Sequence, residues 1–121
     1  LRGGGGMAYA EKLLIARQDQ LSPMHTHVIK AEDIINRGGA ALVIHLCGSD
    51  DRGGFDPNRG GVVFCDGVPR AYGPGEKLRL APGESVTLMP GDWHAFWGEG
   101  GDVLIGEVST VNDDLTDNIF R

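Results

Sequence analysis

A chain of 121 residues, 40% of them hydrophobic, is long enough for one compact domain around one core and too short for two. Its formal charge of -6, with lysines and arginines scattered instead of striped, disfavours a nucleic-acid partner. No apolar run approaches the roughly 18 residues of a membrane-spanning helix, and the start lacks a charged-then-apolar secretory pattern, so no membrane partner and a cytoplasmic location are expected.

The chain opens Leu1-Arg2-Gly3-Gly4-Gly5-Gly6 before Met7, a stretch with nothing to bury. Residues 1–8 are therefore read as a flexible N-terminal segment or tag scar, and residues 9–121 as one barrel domain. The alternative is that the chain is part of a longer protein. Twenty glycines and six prolines break any long helical period, so short strands joined by turns are expected throughout.

Lys12 to Arg17 reads as the first strand, and Met24 to Lys30 as a second extended segment preceded by Pro23. Ala41 to Leu46 is apolar and rich in branched residues, so it is expected to be buried, with Gly38-Gly39 making the turn before it. Gly48 to Gly61 reads as a polar surface loop. Asp66-Gly67, between Val62-Val63-Phe64-Cys65 and Val68-Pro69-Arg70-Ala71-Tyr72, is a two-residue hairpin connection whose residue types tolerate positive φ. Further strands are expected at Lys77 to Leu80, Val86 to Met89, His94 to Trp97 and Val103 to Ser109, separated by Pro82-Gly83, Pro90-Gly91 and Gly98 to Gly101. About eight strands at this spacing imply an all-β barrel or jelly roll. Cys47 and Cys65 fall on separate strands and are read as free thiols.

Alternate side chains of a strand point the same way, so His25 and His27 project from one face about 7 Å apart. Both imidazoles can then hold one ion. Glu32 can add an oxygen ligand once the chain bends, and His94 arrives from a distant strand beside the turn Pro90-Gly91-Asp92-Trp93. His45 stands outside this set on an apolar strand and is read as structural. Trp93 and Trp97 flank His94, and Trp97 is taken as a candidate aromatic wall for a ligand, core packing being its competing role.

The order H-x-H, four residues, Glu32, six residues, Gly39, followed by Gly83, six residues, Pro90-Gly91, two residues, His94, resembles the two motifs of the cupin family. That resemblance implies a jelly-roll barrel with a divalent metal on His25, His27, Glu32 and His94. Within the cupins, the chain resembles the D-lyxose isomerases over nearly its whole length. The similarity lies in Tyr9-Ala10-Glu11-Lys12-Leu13-Leu14, Pro23-Met24-His25, Glu32-Asp33-Ile34-Ile35-Asn36-Arg37-Gly38-Gly39, Pro82-Gly83-Glu84-Ser85, Gly106-Glu107-Val108-Ser109 and Val111-Asn112-Asp113-Asp114.

The resemblance implies an aldose-ketose isomerase acting on D-lyxose and D-xylulose, with D-mannose and D-fructose as further substrates. A metal, Mn2+ foremost and Co2+, Mg2+ or Fe2+ as others, would polarise the carbonyl and stabilise the enediolate. It also implies Lys12 and Glu107 as the acid/base pair. If its face is inward, Glu107 in the apolar strand around Ile105 is desolvated toward a useful pKa; if outward, it is only a solvated charge. Asp113 and Asp117 are candidates for binding sugar hydroxyls, against their commoner role in turns and helix caps. Exposed sheet edges lead to an expected homodimer. Two other classes use the same barrel: an iron-dependent dioxygenase, which needs two open positions on the ion, and a non-catalytic sugar-binding cupin.

Overall fold

The computed structural model describes residues 9–18, 24–27, 31–110 and 118–120. Among them the chain forms ten strands and no helix. These are β1 (Tyr9–Ala16), β2 (His25–His27), β3 (Glu32–Ser49), β4 (Phe55–Asp56), β5 (Gly61–Cys65), β6 (Val68–Tyr72), β7 (Glu76–Leu80), β8 (Ser85–Leu88), β9 (Trp93–Thr110) and β10 (Asn118–Phe120). The main sheet path runs β10-β2-β9-β3-β8-β5-β6, with β1 on β9 and with β4 and β7 on β3. The ladders between these strands are antiparallel, which suits short connections.

Two strands of 18 residues, β3 and β9, pair with each other and organise the rest. The first part of β3 carries β8, and its later part carries β7. The later part of β9 carries β1, and its start carries β2. Where the partners change, the ladder shifts register between Asn36 and Gly38 and again between Gly39 and Ala41. The expected turns at Gly38-Gly39 and at Gly98 to Gly101 are thus bends inside continuous strands. They read as turns in the sequence because glycine serves a bulge as well as it serves a turn.

The bend is held from inside. Asn36 is fully buried, and its Nδ2 donates to the carbonyls of Ala40 and Leu80, both at 2.9 Å, while its Oδ1 accepts from the Gly38 amide at 3.0 Å. Gly39 has φ +104°, and a Cβ there would run into the carbonyl oxygen of Asp102 on β9. Only a residue without a side chain lets the two long strands approach at this corner. Arg37 pairs outward with Glu11 of β1, at 3.0 Å.

Bent in this way, the sheet closes on a core. Ile34, Val63, Val86, Leu88, Val103 and Ile105 meet Leu42, Ile44, Leu46, Leu78, Leu80 and Phe96. Burying each large aliphatic among them contributes about 1.5–3 kcal/mol relative to exposure. Period-two alternation explains the choice: in β7, Leu78 and Leu80 are buried while Lys77 and Arg79 are not. The Asp66-Gly67 hairpin forms as expected between β5 and β6, with φ of 49° and 82°. The polar stretch from Gly48 to Gly61 is more ordered than a plain loop. Its short β4 pairs with the end of β3, and Asp50 Oδ1 accepts from the amides of Arg52 and Gly54, both at 2.8 Å. Both cysteines are free.

Candidate active site

The strands bring three histidines and one glutamate to one end of the barrel interior. On β2, His25 and His27 share a face, and His25 is the register partner of His94 at the start of β9. Glu32 opens β3 on the face that continues into the core as Ile34 and Asn36. The potential ligand atoms of His25, His27, Glu32 and His94 all lie within 4.8 Å of one another. Glu32 Oε1 is 3.2 Å from His27 Nε2 and 3.2 Å from His94 Nε2. The His25 ring centroid lies 4.2 Å from that of His94 and 5.3 Å from that of His27. His27, Glu32 and His94 are buried and His25 is half-buried, so the group opens toward solvent on the His25 side.

A divalent cation fits this set. Donors bound at about 2.1 Å in an octahedron stand roughly 3 Å apart as neighbours and roughly 4.2 Å apart across the ion. The 3.2 Å spacings already match, and the widest needs only a small contraction. His94 Nε2 is buried 3.2 Å from Glu32 Oε1 without a well-aligned hydrogen bond among the described residues, whereas its Nδ1 stands 3.1 Å from the carbonyl oxygen of Asp92. With the proton on Nδ1, the Nε2 lone pair points into the cluster, as a metal-ligating imidazole requires. Burial alone raises the Glu32 carboxyl. The imidazoles of His27 and His94 against it outweigh burial and hold it well below the usual carboxylate range. Three nitrogens and one carboxylate suit manganese, iron, cobalt or zinc.

Lys12 and Glu107 are register partners on β1 and β9, with Lys12 Nζ 3.9 Å from Glu107 Oε1. Glu107 is also the register partner of Ile34, a core residue, so its face is the inward one, and its side chain is only 11% exposed. Lys12 shares that face with Leu14 and the buried Ala16, while Leu13 and Ile15 point outward. Glu32 pairs with Ser109, two positions along β9 from Glu107. Glu107 is thus a diagonal neighbour of Glu32 on the same face, at about 7–8 Å between backbones. Glu107 of the pair and Glu32 of the ligand cluster therefore lie on one inward face of the sheet.

Other residues singled out in the sequence lie elsewhere. Trp97 is a correction: it stands three positions after His94 in an unbroken register, so period-two alternation turns it to the opposite face. There it lies beneath Lys77, whose Nζ is 5.9 Å from the ring centroid. His45 is on that outer face too, paired in register with Lys77 and Ala95, and burial, helped by Lys77, lowers its imidazole. Its structural reading agrees with this position. Asp113 and Asp117 fall outside the described residues. Phe120 and Tyr72 carry no sequence signal that ties them to the site. Phe120 is 58% exposed on β10, with its ring centroid 5.6 Å from that of His25, at the mouth of the cluster. Tyr72 reaches Asp92, beside His94, from 20 residues away along the chain. No local pattern marks either contact.

An antiparallel jelly roll with three histidines and a glutamate gathered at one end of its interior defines a cupin-type barrel. Within that class the chain belongs to the D-lyxose isomerase family, whose model matches residues 2–121. A D-lyxose/D-mannose isomerase of Serratia proteamaculans is 52% identical over 114 residues, covering 93% of this chain and 50% of that protein. A D-lyxose/D-mannose isomerase of Escherichia coli O157:H7 is 49% identical over the same span and shares. The chain thus spans about half the length of these curated relatives. Among solved structures, the L-ribose isomerase of Cellulomonas parahominis with L-ribose superposes with a TM-score of 0.65 at 22% identity, over 93% of this chain and 58% of that one. A dTDP sugar isomerase of Desulfovibrio desulfuricans gives 0.67 at 9% identity, over 100% and 69%. At these identities the likeness concerns the fold.

Proposed function

We propose that this chain is the catalytic barrel of a metal-dependent aldose-ketose isomerase acting on D-lyxose and D-xylulose and on D-mannose and D-fructose. The observation that carries the reading is the His25, His27, Glu32 and His94 cluster on the same sheet face as Glu107, itself paired with Lys12, in a chain about half identical to D-lyxose/D-mannose isomerases. When bound, a divalent ion, Mn2+ foremost, supplies Lewis acidity toward the sugar oxygens. The protein's own work is to move protons. The proton on C2 of the open-chain aldose leaves to a base and one returns to C1, while a proton passes from O2 to O1, so composition and charge are unchanged. Glu107, buried and facing Lys12, suits the base role. Lys12, 59% exposed, can exchange its proton with water and serve the oxygens. His25 and Phe120 at the open side form the approach for a monosaccharide, and the aromatic ring offers an apolar face to sugar C–H groups. The working unit is a homodimer.

The test is a sugar panel run on protein loaded with Mn2+, Co2+, Mg2+ or Fe2+ and on the chelated form. Ketose should appear from D-lyxose and D-mannose only in a metal-loaded sample. Unchanged sugars over hours with every ion overturn the reading. Oxygen uptake on a thiol or phenol by the iron form assigns the barrel to a dioxygenase instead.

A further inference from the structure

We infer that Tyr72 and Asp92 are positioning residues that set the imidazole of His94 for the metal, a role that rests on the metal-centre reading above. The contact is built in three layers. His94 Nδ1 donates to the main-chain oxygen of Asp92 at 3.1 Å. Asp92 belongs to the turn Met89–Asp92, closed by its amide on the Met89 carbonyl at 3.0 Å and clamped by its own Oδ2, which accepts from the Met89 amide at 2.9 Å. Its other oxygen, Oδ1, accepts from the Tyr72 hydroxyl at 2.8 Å.

The carboxylate of Asp92 is therefore engaged on both sides, and the residue is only 8% exposed. A buried carboxylate is costly to retain, and a plain turn could be closed by Asn or Ser at that position. What Asp supplies beyond them is two acceptors at once, one for the turn and one for a hydroxyl on another strand. An Asn would aim its NH2 at one of the two donors. Tyr72, 5% exposed, also approaches the Cys47 carbonyl at 3.2 Å, so its hydroxyl ties β6, β3 and the turn together at one point. Space is reserved for that hydroxyl: a Cβ on Gly61 would sit 2.7 Å from it. The consequence reaches His94 through its backbone neighbour. With the turn fixed, the Asp92 carbonyl stays in place to hold the proton on Nδ1, and Nε2 remains an acceptor toward the ion.

The experiment uses Tyr72→Phe and Asp92→Asn, with Val63→Ala as a core variant remote from the turn. In metal-free protein at a pH where imidazoles are neutral, nitrogen-proton correlation spectra read the tautomer of His94. Wild type and Val63→Ala should show the larger share of the Nδ1–H form, whereas in the two clamp variants the balance moves toward Nε2–H, which can donate to Glu32 Oε1 at 3.2 Å. Titration with Co2+ should then show ten- to hundredfold weaker uptake by the clamp variants and an altered visible spectrum, with Val63→Ala unchanged in both. Tyr72→Phe keeps the ring that fills the pocket, so it carries the test if Asp92→Asn does not fold. A share of the Nδ1–H tautomer in a folded clamp variant equal to that of wild type overturns the inference. So does a changed tautomer with Co2+ affinity within twofold of wild type. Failure of wild type to take up Co2+ would instead strike the metal-centre reading, and the tautomer spectra still decide the clamp.

Discussion

Deleting His25 separates the contribution of the metal from that of the core. His25 is the half-buried member of the cluster and touches His94, His27 and Phe120, so its loss leaves no sealed cavity. An ion that binds only the folded state stabilises it by RT ln(1 + [L]/Kd), about 2.7 kcal/mol at one hundred times Kd. For 121 residues the unfolding entropy near the midpoint is about 0.25 kcal/mol/K, so wild type should gain about 10 °C in melting temperature under that condition. Losing one of four ligands weakens binding by at least the ten- to hundredfold seen for outer-shell partners. At about thirtyfold, the same metal concentration gives His25→Ala about 0.9 kcal/mol, or ~3 °C. The assay is a thermal melt of both proteins with EDTA and then with excess Mn2+ or Co2+. A wild-type midpoint that moves by less than a degree, or a variant that keeps the full gain, refutes the convergence of these ligands on one ion.

Other substitutions probe different parts of the same design. Glu107→Gln keeps the shape of a buried side chain and removes its basicity, so isomerisation kcat should fall by about 100- to 10,000-fold with metal uptake unchanged; equal turnover would remove Glu107 from the chemistry. Glu32→Gln should flatten the acid limb of stability in metal-free protein. The folded-state pKa of Glu32 lies below its unfolded value, so its contribution is present above the ordinary carboxylate range and is lost as pH falls toward the folded pKa. Urea unfolding between about pH 5 and pH 3 reads this, and identical slopes for the two proteins would contradict it. Gly39→Ala places a Cβ against the Asp102 carbonyl at a positive φ and should cost about 1–3 kcal/mol or more in chemical denaturation; a neutral result would show that the corner can relax.

What the sequence discloses follows the range of the interactions involved. The Asp66-Gly67 hairpin and the alternation in β7 are set by neighbours a few residues apart, and both are readable. The four ligands come from distant positions, yet H-x-H on a strand and the spacing around Pro90-Gly91 carry their own signature, and the cluster is readable too. The corner at Gly39 reads as a turn because what distinguishes a bulge from a turn is the partner strand, here Asp102 and Val103 of β9. Trp97 looks like a pocket residue when closeness to His94 is counted instead of parity, since an odd separation in a strand reverses the face. Tyr72 is silent in the sequence because its role depends on a meeting with Asp92 that only the folded sheet creates.

The three-residue β2 supplies half of the ligands, yet it joins the body of the sheet by one registered pair, His25 with His94, and carries β10 on its far side by three. An ion bridging β2 to Glu32 and His94 would act as a rivet through that seam. Loading the metal should then slow amide exchange in β2 and β10 more than anywhere else, and chelation should release both together. Ion occupancy and the seating of β10 would then become one equilibrium, so that the cluster's mouth closes only as the cluster fills.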